Sequence, residues 1–259
     1  AQQWVKSEFD KYALESNGRL SSKIDYFTIK ADGRRIAVDS QLGNVMGTLK
    51  GTDSSDDRVL IISGHLDSRV SDVMDAKSDA PGANDDGSGV AAMMELAKIM
   101  SKRSFPYTII FVAVTGEEQG LYGARHLAEL AKQENWNIVA MINNDMIGNS
   151  LSSGTNLRDN SKVRVFSEAT PYLETEDEAK MRKLTNRDND SPSRLLARYI
   201  KTVTDQYVDQ LEINLVYRND RFLRGGDHTP FSQNGFTAIR FCEMNENYNH
   251  QHQDLRTEN

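Results

Sequence analysis

Acidic and imidazole side chains follow directly after several aliphatic stretches of this sequence. The run "RVLIIS" leads into His65 and Asp67, and the run "IIFVAVTG" leads into the adjacent pair Glu117 and Glu118. The run "IVAMINN" is followed at once by Asp145. Imidazole nitrogens and carboxylate oxygens are ligands that zinc takes in catalytic sites. Each position alone also fits an ordinary polar loop, so the choice depends on the rest of the chain.

Two further groups of the same residue types accompany these runs. Asp85 and Asp86 stand in "PGANDDGSG" at the predicted start of a helix, and "TAIRFCEMNENYN" leads to His250, His252 and Asp254. Taken singly, an aspartate after a strand is typical of a turn, and "DDGSG" is typical of a helix cap. Together they are harder to explain by chance, because His65, Glu117, Glu118 and Asp145 all follow predicted strands and Asp85 and Asp86 lie between two of these strands.

The predicted elements come from the spacing of apolar residues. Helical spacing predicts helices over residues 3–14, 88–100 and 191–208, and a further helix in "GARHLAELAKQ". Strands are predicted in "KIDYFTIK", "GNVMGTLKG", "RVLIIS", "YTIIFVAVT", "NIVAMINND", "LEINLVY" and "TAIRFC". The segment at about 168–190 is dense in mixed charge and predicts a solvated surface loop or mobile insertion rather than a recognition element. Strands alternating with helices predict an α/β fold, a three-layer α/β/α sandwich with a central mixed, mainly parallel sheet.

This fold brings the strand ends together at one rim of the sheet, where functional groups gather. So many carboxylates at one rim would repel one another strongly unless cations lay between them. Two histidines and at least three carboxylates, with no thiolate, match the nitrogen and oxygen ligands of catalytic zinc. The ligands suffice for two metal ions if one carboxylate bridges them.

Length and charge restrict the classes of protein. A chain of 259 residues with 38% hydrophobic residues can bury one substantial core, so we expect a single domain over 1–259. The net charge of -7 and the lack of clustered Lys and Arg argue against a nucleic-acid partner. The single cysteine, Cys242, cannot form an internal disulfide, and we expect a buried thiol. The sequence leaves the oligomeric state open.

The sequence contains no apolar stretch approaching the ~18 residues of a membrane span. The chain begins with "AQQW" and shows no charged-then-apolar leader. We expect that an upstream segment has been removed and that the protein is secreted or periplasmic, with the cytoplasm as the alternative location.

Six motifs, taken in their order along the chain, resemble one known family. They are "GHLDS", "GANDDGSG", "TGEEQGLYGA", "NNDMIG", "GGDHTPF" and the terminal "YNHQHQD". The ordered set resembles the zinc aminopeptidases of the M28 type, which bind two zinc ions. The resemblance extends from about residue 44 to the C-terminus, and it is specific because the motifs occur together.

The resemblance implies two Zn²⁺ ions per chain, and it also implies which residues bind each ion. One zinc would be bound by His65 and Asp145, the other by Glu118 and His250, with Asp85 as the bridge. His250 is favoured over His252 because Asp254 lies four residues after it, as an aspartate does in the family. A cis peptide bond between Asp85 and Asp86 is also implied.

Further roles carry over from the family. Glu117 matches the general base, and Asp67 matches the residue that fixes the tautomer and orientation of His65. The family has a tyrosine directly before the last histidine ligand, whereas here Tyr248 is one residue further from His250. The role of Tyr248 in substrate binding is therefore an open expectation.

The motif "RGGDHTPF" resembles a family segment that lines the substrate pocket. Asp227 and His228 are accordingly expected to contact substrate. The alternative is a loop held by its own capping hydrogen bonds ahead of a short helix.

The resemblance implies a metal-dependent exopeptidase that removes N-terminal residues from peptides, so the expected partner is a peptide substrate. Relatives of this superfamily also act as carboxypeptidases or glutaminyl cyclases, which are the first alternatives. A binding domain without catalysis is a third, but its usual signature is loss of a ligand or of the base, and all of these residues are present. The preferred side chain and the native metal are not determined by these residues.

Overall fold

One mixed eight-stranded sheet runs through the computed structural model, which describes residues 1–168, 170, 173–221 and 224–255. The strands are β1 Leu20–Ile29, β2 Ser40–Leu49, β3 Arg58–His65, β4 Thr108–Val114, β5 Asn137–Asn144, β6 Lys162–Ser167, β7 Glu212–Val216 and β8 Ala238–Glu243. The helices are α1 Gln2–Glu15, α2 Gly87–Met100, α3 Tyr122–Gln133, α4 Glu176–Leu184, α5 Pro192–Tyr207 and α6 His228–Gln233, followed by a 3-10 helix over Tyr248–His250. The strand order is β1-β2-β4-β3-β5-β8-β6-β7.

The central strands of the sheet are parallel to one another. Strands β4, β3, β5 and β8 are consecutive in the sheet and pair in parallel, with Ile61 of β3 between Ile110 of β4 and Met141 of β5. Antiparallel pairs flank them, namely β1 with β2, β2 with β4, and β6 with β8, while β6 and β7 are parallel. The carboxyl ends of the central strands therefore lie at one edge, as the fold prediction requires.

Apolar side chains cover both faces of the central strands. On one face Ile62 and Phe111 pack with Phe9 of α1 and Met93 of α2. On the other face the sheet packs against α3 and α6, and α5 packs against β6, β7 and β8. The predicted three-layer arrangement is confirmed. Within the described parts of the chain, no helix has both the length and the apolar character needed to cross a membrane.

One strand and one α-helix were not predicted from the sequence. Strand β6, in "KVRVFS", pairs antiparallel with β8, and α4 forms inside the charged segment that was expected to be a loop. Helix α4 begins with a reciprocal capping box between Thr175 and Glu178 and buries none of its residues. Hydrophobic burial therefore does not explain this helix. Its capping box and its helix-forming side chains do. Positions 169, 171 and 172 of the segment lie outside the described residues.

Strand β8 carries a buried charge, because Arg240 is only 1% exposed. Its Nη1 lies 2.8 Å from Oδ2 of Asp220, and its Nη2 lies 2.8 Å from Oδ1 of Asp145. Burial alone would lower the pKa of Arg240, but the charges of Asp145 and Asp220 outweigh it and hold the pKa well above its ordinary value. The arginine thus ties the residue after β5 to the segment before α6. Cys242, two residues further along, is buried as predicted.

Replacing Arg240 with Met would leave two carboxylates buried without their counter-charge. Losing one partner of a buried ion pair costs about 3 to 5 kcal/mol. We expect the free energy of unfolding of Arg240→Met, measured by urea denaturation in the presence of a chelator, to fall by that amount. Arg58→Met is the matched control, since Arg58 pairs with Asp56 through a half-exposed side chain and should cost no more than about 1 kcal/mol. Equal losses in the two variants would contradict this role.

Candidate functional site

The residues singled out in the sequence meet at the carboxyl ends of the central strands. His65 is the last residue of β3, and Asp145 follows the last residue of β5. Glu117 and Glu118 come after β4, beyond a turn in which Gly116 has a φ of 79°. The sheet topology therefore accounts for the approach of residues that are far apart in the sequence.

The start of α2 lies directly against the end of β3. A Cβ atom at Gly64 would be 2.6 Å from the carbonyl carbon of Gly89, so the two backbones approach too closely for any other residue. Asp86 caps α2, and its buried carboxylate accepts hydrogen bonds from the backbone N–H groups of His65 at 2.9 Å, Gly89 at 2.9 Å and Met146 at 3.2 Å. One side chain thus joins β3, α2 and the segment after β5. The sequence had placed Asp86 at the start of a helix, with a helix cap as its ordinary interpretation, and the structure shows this cap together with the contacts to His65 and Met146.

His65, Asp85 and Asp145 form a first group of possible metal ligands. Nε2 of His65 lies 3.0 Å from Oδ1 of Asp85 and 3.9 Å from Oδ1 of Asp145. All three residues are buried, and their ligand atoms lie within 4.8 Å of one another. Burial by itself lowers the pKa of His65, but the surrounding carboxylates raise it well above its ordinary value. The peptide bond between Asp85 and Asp86 is cis, as predicted.

Asp85, Glu118 and His252 form a second group. Nε2 of His252 lies 2.9 Å from Oε2 of Glu118 and 3.7 Å from Oδ2 of Asp85. Asp85 therefore faces the first group with Oδ1 and the second with Oδ2, which is the geometry of a bridging carboxylate. Oε1 of Glu118 is buried and has no hydrogen-bond partner among the described residues. The two groups offer only nitrogen and oxygen atoms, which fit zinc.

The histidine in the second group is His252, whereas the sequence-based prediction was His250. The 3-10 helix ends at His250, whose Nε2 lies 3.5 Å from Nδ2 of Asn247, and the φ of 45° at His252 turns the chain toward the site. Asp254, the residue that had favoured His250, instead accepts hydrogen bonds from the backbone N–H of Ser71 at 3.0 Å and from its hydroxyl at 2.7 Å. The structure therefore replaces His250 with His252 as the candidate ligand.

Asp67 contacts His65, as predicted, but through its backbone carbonyl, while its carboxylate contacts other groups. Nδ1 of His65 lies 2.9 Å from the backbone carbonyl of Asp67 but 4.0 Å from its carboxylate. The carboxylate accepts hydrogen bonds from the backbone N–H groups of Gly116 at 2.8 Å, Glu117 at 3.3 Å and Glu118 at 3.1 Å. The carbonyl thus orients the imidazole, while the side chain holds the turn that carries both glutamates.

Glu117 is half-buried and lines the same cavity as Glu118. Burial and the charges of Asp145, Asp227 and Glu118 raise the pKa of Glu117 well above its ordinary value, although His65 acts in the opposite direction. Glu117 belongs to neither group of possible ligands. It is therefore a carboxyl beside both groups whose basicity exceeds that of an ordinary glutamate.

The three residues expected to bind substrate do not line the cavity that the structure describes. Asp227 and His228 are completely buried at the start of α6, with Nε2 of His228 lying 2.8 Å from the carbonyl oxygen of Asn219. Both carboxylate oxygens of Asp227 lack a hydrogen-bond partner in the described ranges, and burial raises its pKa to about 8. Tyr248 is 63% exposed on the 3-10 helix. Their positions do not support the direct substrate contacts that were expected.

A cavity of about 470 Å³ opens beside the two groups, a size that suits a small ligand. Its wall includes Asp85, Glu117, Glu118, Asp145 and His252 together with five arginines, which are Arg35, Arg69, Arg221, Arg224 and Arg240. Sequence reasoning assigned no role to these arginines because they come from separate segments of the chain, although Arg224 opens the motif "RGGDHTPF", which was expected to line the substrate pocket. A signal existed for Arg240, which interrupts the otherwise apolar run "TAIRFC".

Curated relatives cover the whole of this chain. The model of peptidase family M28 matches residues 44–258. A "probable zinc metalloprotease" of Leptosphaeria maculans is 46% identical over 259 residues, which is 100% of this chain and 59% of that protein. One from Pyrenophora tritici-repentis is 45% identical over 261 aligned residues, covering 100% of this chain and 53% of that protein. The chain thus spans little more than half the length of these relatives.

Solved structures share the fold at low sequence identity. The LapA aminopeptidase of Legionella pneumophila superposes with a TM-score of 0.64 at 20% identity, over 99% of this chain and 57% of that one. A glutaminyl cyclase from an Acidobacteriales bacterium gives a TM-score of 0.61 at 18% identity, over 93% of this chain and 69% of that one. These likenesses agree with the sheet described above, and the family model covers most of the sequence. The chain belongs to peptidase family M28.

Proposed function

We propose that this chain is the catalytic domain of a zinc-dependent exopeptidase that hydrolyses N-terminal residues of peptides, with one zinc ion in each group. The observation that carries the proposal is that two groups of ligand atoms share Asp85 and open on one cavity that also contains Glu117. A carboxylate shared in this way is the arrangement of two-metal hydrolases, whose ions lie about 3.5 to 4 Å apart.

The residues themselves fit zinc. His65, Asp85 and Asp145 would hold one ion, and Asp85, Glu118 and His252 the other. The buried and unpaired Oε1 of Glu118 points to a cation, because a buried carboxylate oxygen without a partner is costly. When bound, the zinc ions would polarise the scissile carbonyl and lower the pKa of a water molecule.

Glu117 would act as the general base. Asp67 holds the turn after β4 in place, and of the two glutamates on this turn Glu118 belongs to the second group of ligands whereas Glu117 belongs to neither group. Glu118 can therefore face the ions while Glu117 faces the cavity. Glu117 would take a proton from the attacking water and pass it to the leaving amine.

Carboxylates near the ions would hold the free ammonium group of the substrate. Glu117, Glu118 and Asp145 all line the cavity, and a protonated amine makes strong hydrogen bonds with ionised carboxylates. This arrangement favours attack on the first peptide bond over attack on an internal bond.

The proposal is tested by combining metal analysis with peptide hydrolysis. We expect about two zinc ions per chain and release of N-terminal residues from aminoacyl 4-nitroanilides, with activity lost in a chelator and restored by zinc. Cleavage restricted to the C-termini of N-blocked peptides would instead indicate a carboxypeptidase. One zinc ion and cyclisation of N-terminal glutamine would indicate a glutaminyl cyclase, and zinc binding without turnover would indicate a binding domain.

Glu117→Gln removes the proposed base but keeps the shape of the side chain. We expect the variant to retain two zinc ions and to lose about two to four orders of magnitude in kcat, the usual contribution of general acid–base catalysis. Glu129→Gln is the matched control, because Glu129 is an exposed residue of α3. Full activity in Glu117→Gln, or loss of zinc from it, would refute the assignment.

The two neighbouring histidines provide a direct test of the ligand set. In His252→Ala we expect the zinc affinity of one of the two sites to fall by more than the ~10- to 100-fold typical of outer-sphere partners. In His250→Ala we expect both affinities to be retained, since Nε2 of His250 lies near Asn247 instead of a carboxylate. Titration with zinc against a chromogenic chelator measures both affinities. The reverse pattern would restore His250 as the ligand.

A further inference from the structure

The wall of the cavity is rich in positive charge, although the chain as a whole carries a net charge of -7. Five arginines line the cavity together with four carboxylates. Those carboxylates, Asp85, Glu117, Glu118 and Asp145, are all part of the proposed catalytic machinery. The arginines therefore outnumber the acids in the wall even before any bound cation is considered.

Three of these arginines have carboxylate partners. Arg240 pairs with Asp145 and Asp220, as described above. Nε of Arg69 lies 3.3 Å from Oε2 of Glu118. Arg221 lies 3.1 Å from Oδ1 of Asp220 and 2.5 Å from Oε2 of Glu246. These guanidinium groups are compensated by the protein itself.

Arg35 and Arg224 differ, because neither has a carboxylate partner within the described ranges. The guanidinium of Arg35 donates to the backbone carbonyls of Glu118 and Gln119, the latter at 3.2 Å. Nη2 of Arg224 donates to Oε1 of Gln251 at 3.4 Å. Both side chains are thus held by neutral groups, one by the residue after Glu117 and the other by the residue before His252. No carboxylate among the described residues therefore compensates either guanidinium, and both lie in the cavity wall beside the two groups of candidate ligands.

The cavity offers little to an apolar side chain. Among its described lining residues, the apolar side chains are Leu121 and Met146. A guanidinium group is suited to a carboxylate, because its planar donors match the two oxygens. The chemistry of the wall therefore favours an anionic substrate over a leucine-like one.

We propose that Arg35 and Arg224 bind a substrate carboxylate next to the scissile bond, an inference that rests on the exopeptidase function proposed above. The carboxylate could come from an acidic side chain at the N-terminal residue or from the free C-terminus of a dipeptide. Both sources present the same group to the same arginines. Substrates that carry only one of the two carboxylates are therefore needed to distinguish the sources.

The first experiment compares matched substrates with the zinc-loaded chain. Glutamyl and aspartyl 4-nitroanilides are measured against the glutaminyl and asparaginyl compounds, which have the same shape without the charge. Alanyl-alanine is measured against alanyl-alanine amide. A ratio of kcat/KM above about 10 in the first comparison indicates an acidic side chain, and the same ratio in the second indicates a C-terminal carboxylate.

The second experiment asks whether the two arginines cause the preference. In Arg35→Gln and Arg224→Gln we expect the charged-to-neutral ratio of kcat/KM to fall by about 10- to 100-fold. Arg34→Gln and Arg218→Gln are the controls, because both are exposed arginines next to the same segments and outside the cavity wall. Arg224→Glu should shift the preference toward lysyl 4-nitroanilide, a gain that general damage to the protein would not produce.

The outcomes separate this inference from the function on which it rests. Hydrolysis of neutral substrates with charged-to-neutral ratios near one, or ratios that the Arg35 and Arg224 variants leave unchanged, overturns the carboxylate site and leaves the exopeptidase function intact. Failure of the zinc-loaded chain to hydrolyse any of these substrates overturns both.

Discussion

Electrostatic repulsion among buried carboxylates is the constraint on which this structure depends. Asp85, Asp145 and Glu118 are each less than a tenth exposed and face the same small volume. Like charges at such distances cannot all remain ionised in a poorly solvated site unless positive charge lies among them. Arg240 and Arg69 supply part of that charge, and the raised pKa of His65 reflects the same requirement. Two divalent cations would supply the remaining positive charge.

Two other carboxylates, those of Asp67 and Asp86, have a structural role. Asp67 and Asp86 accept hydrogen bonds from backbone N–H groups of the turns and strand ends that carry the candidate ligands. A backbone N–H that donates to an ionised carboxylate forms one of the stronger hydrogen bonds available to a protein. These two aspartates thus fix loops that hydrophobic packing alone would leave free. Some carboxylates thus face the candidate metal site, and others stabilise the surrounding backbone by accepting its hydrogen bonds.

The sequence predicted the strands of the site well, because each is an aliphatic run bounded by polar residues. It also predicted that His65, Asp85, Glu118 and Asp145 would meet, since parallel topology leaves their strand ends little freedom. The structure groups His252 with Asp85 and Glu118 where the sequence favoured His250, because a 3-10 helix followed by a positive φ is not visible in residue spacing. Strand β6 escaped prediction because it follows a long polar stretch. Helix α4 is stabilised by capping instead of a periodic apolar face.

The orientation of Asp67 and the arginine-rich wall could not be inferred from the sequence for a related reason. A motif states that Asp67 follows His65 by two positions, but whether its carbonyl or its carboxylate reaches the imidazole depends on the turn between them. The wall is assembled from Arg35, which lies between β1 and β2, Arg69, which follows β3, and Arg221 and Arg224, which precede α6. Only tertiary structure brings these segments together.

The residues of the cavity wall differ in how closely they are tied to the sheet, and this difference bears on specificity. His65 and Asp145 stand at the ends of central strands and Asp85 precedes the cap of α2, where a shift would disturb the core, while the backbone of Glu118 is held by Asp67. The unpaired arginines stand on connections between elements, which tolerate changes in sequence because they contribute little to packing. Solved structures that share this fold at about 20% identity include both an aminopeptidase and a glutaminyl cyclase. A common fold is therefore compatible with different reactions, and function must be argued from the residues of each site. In this chain the connections place Arg35 against the backbone carbonyl of Glu118 and Arg224 against the side chain of Gln251, so under the proposed carboxylate site the charge of the substrate would be the property that these connections select.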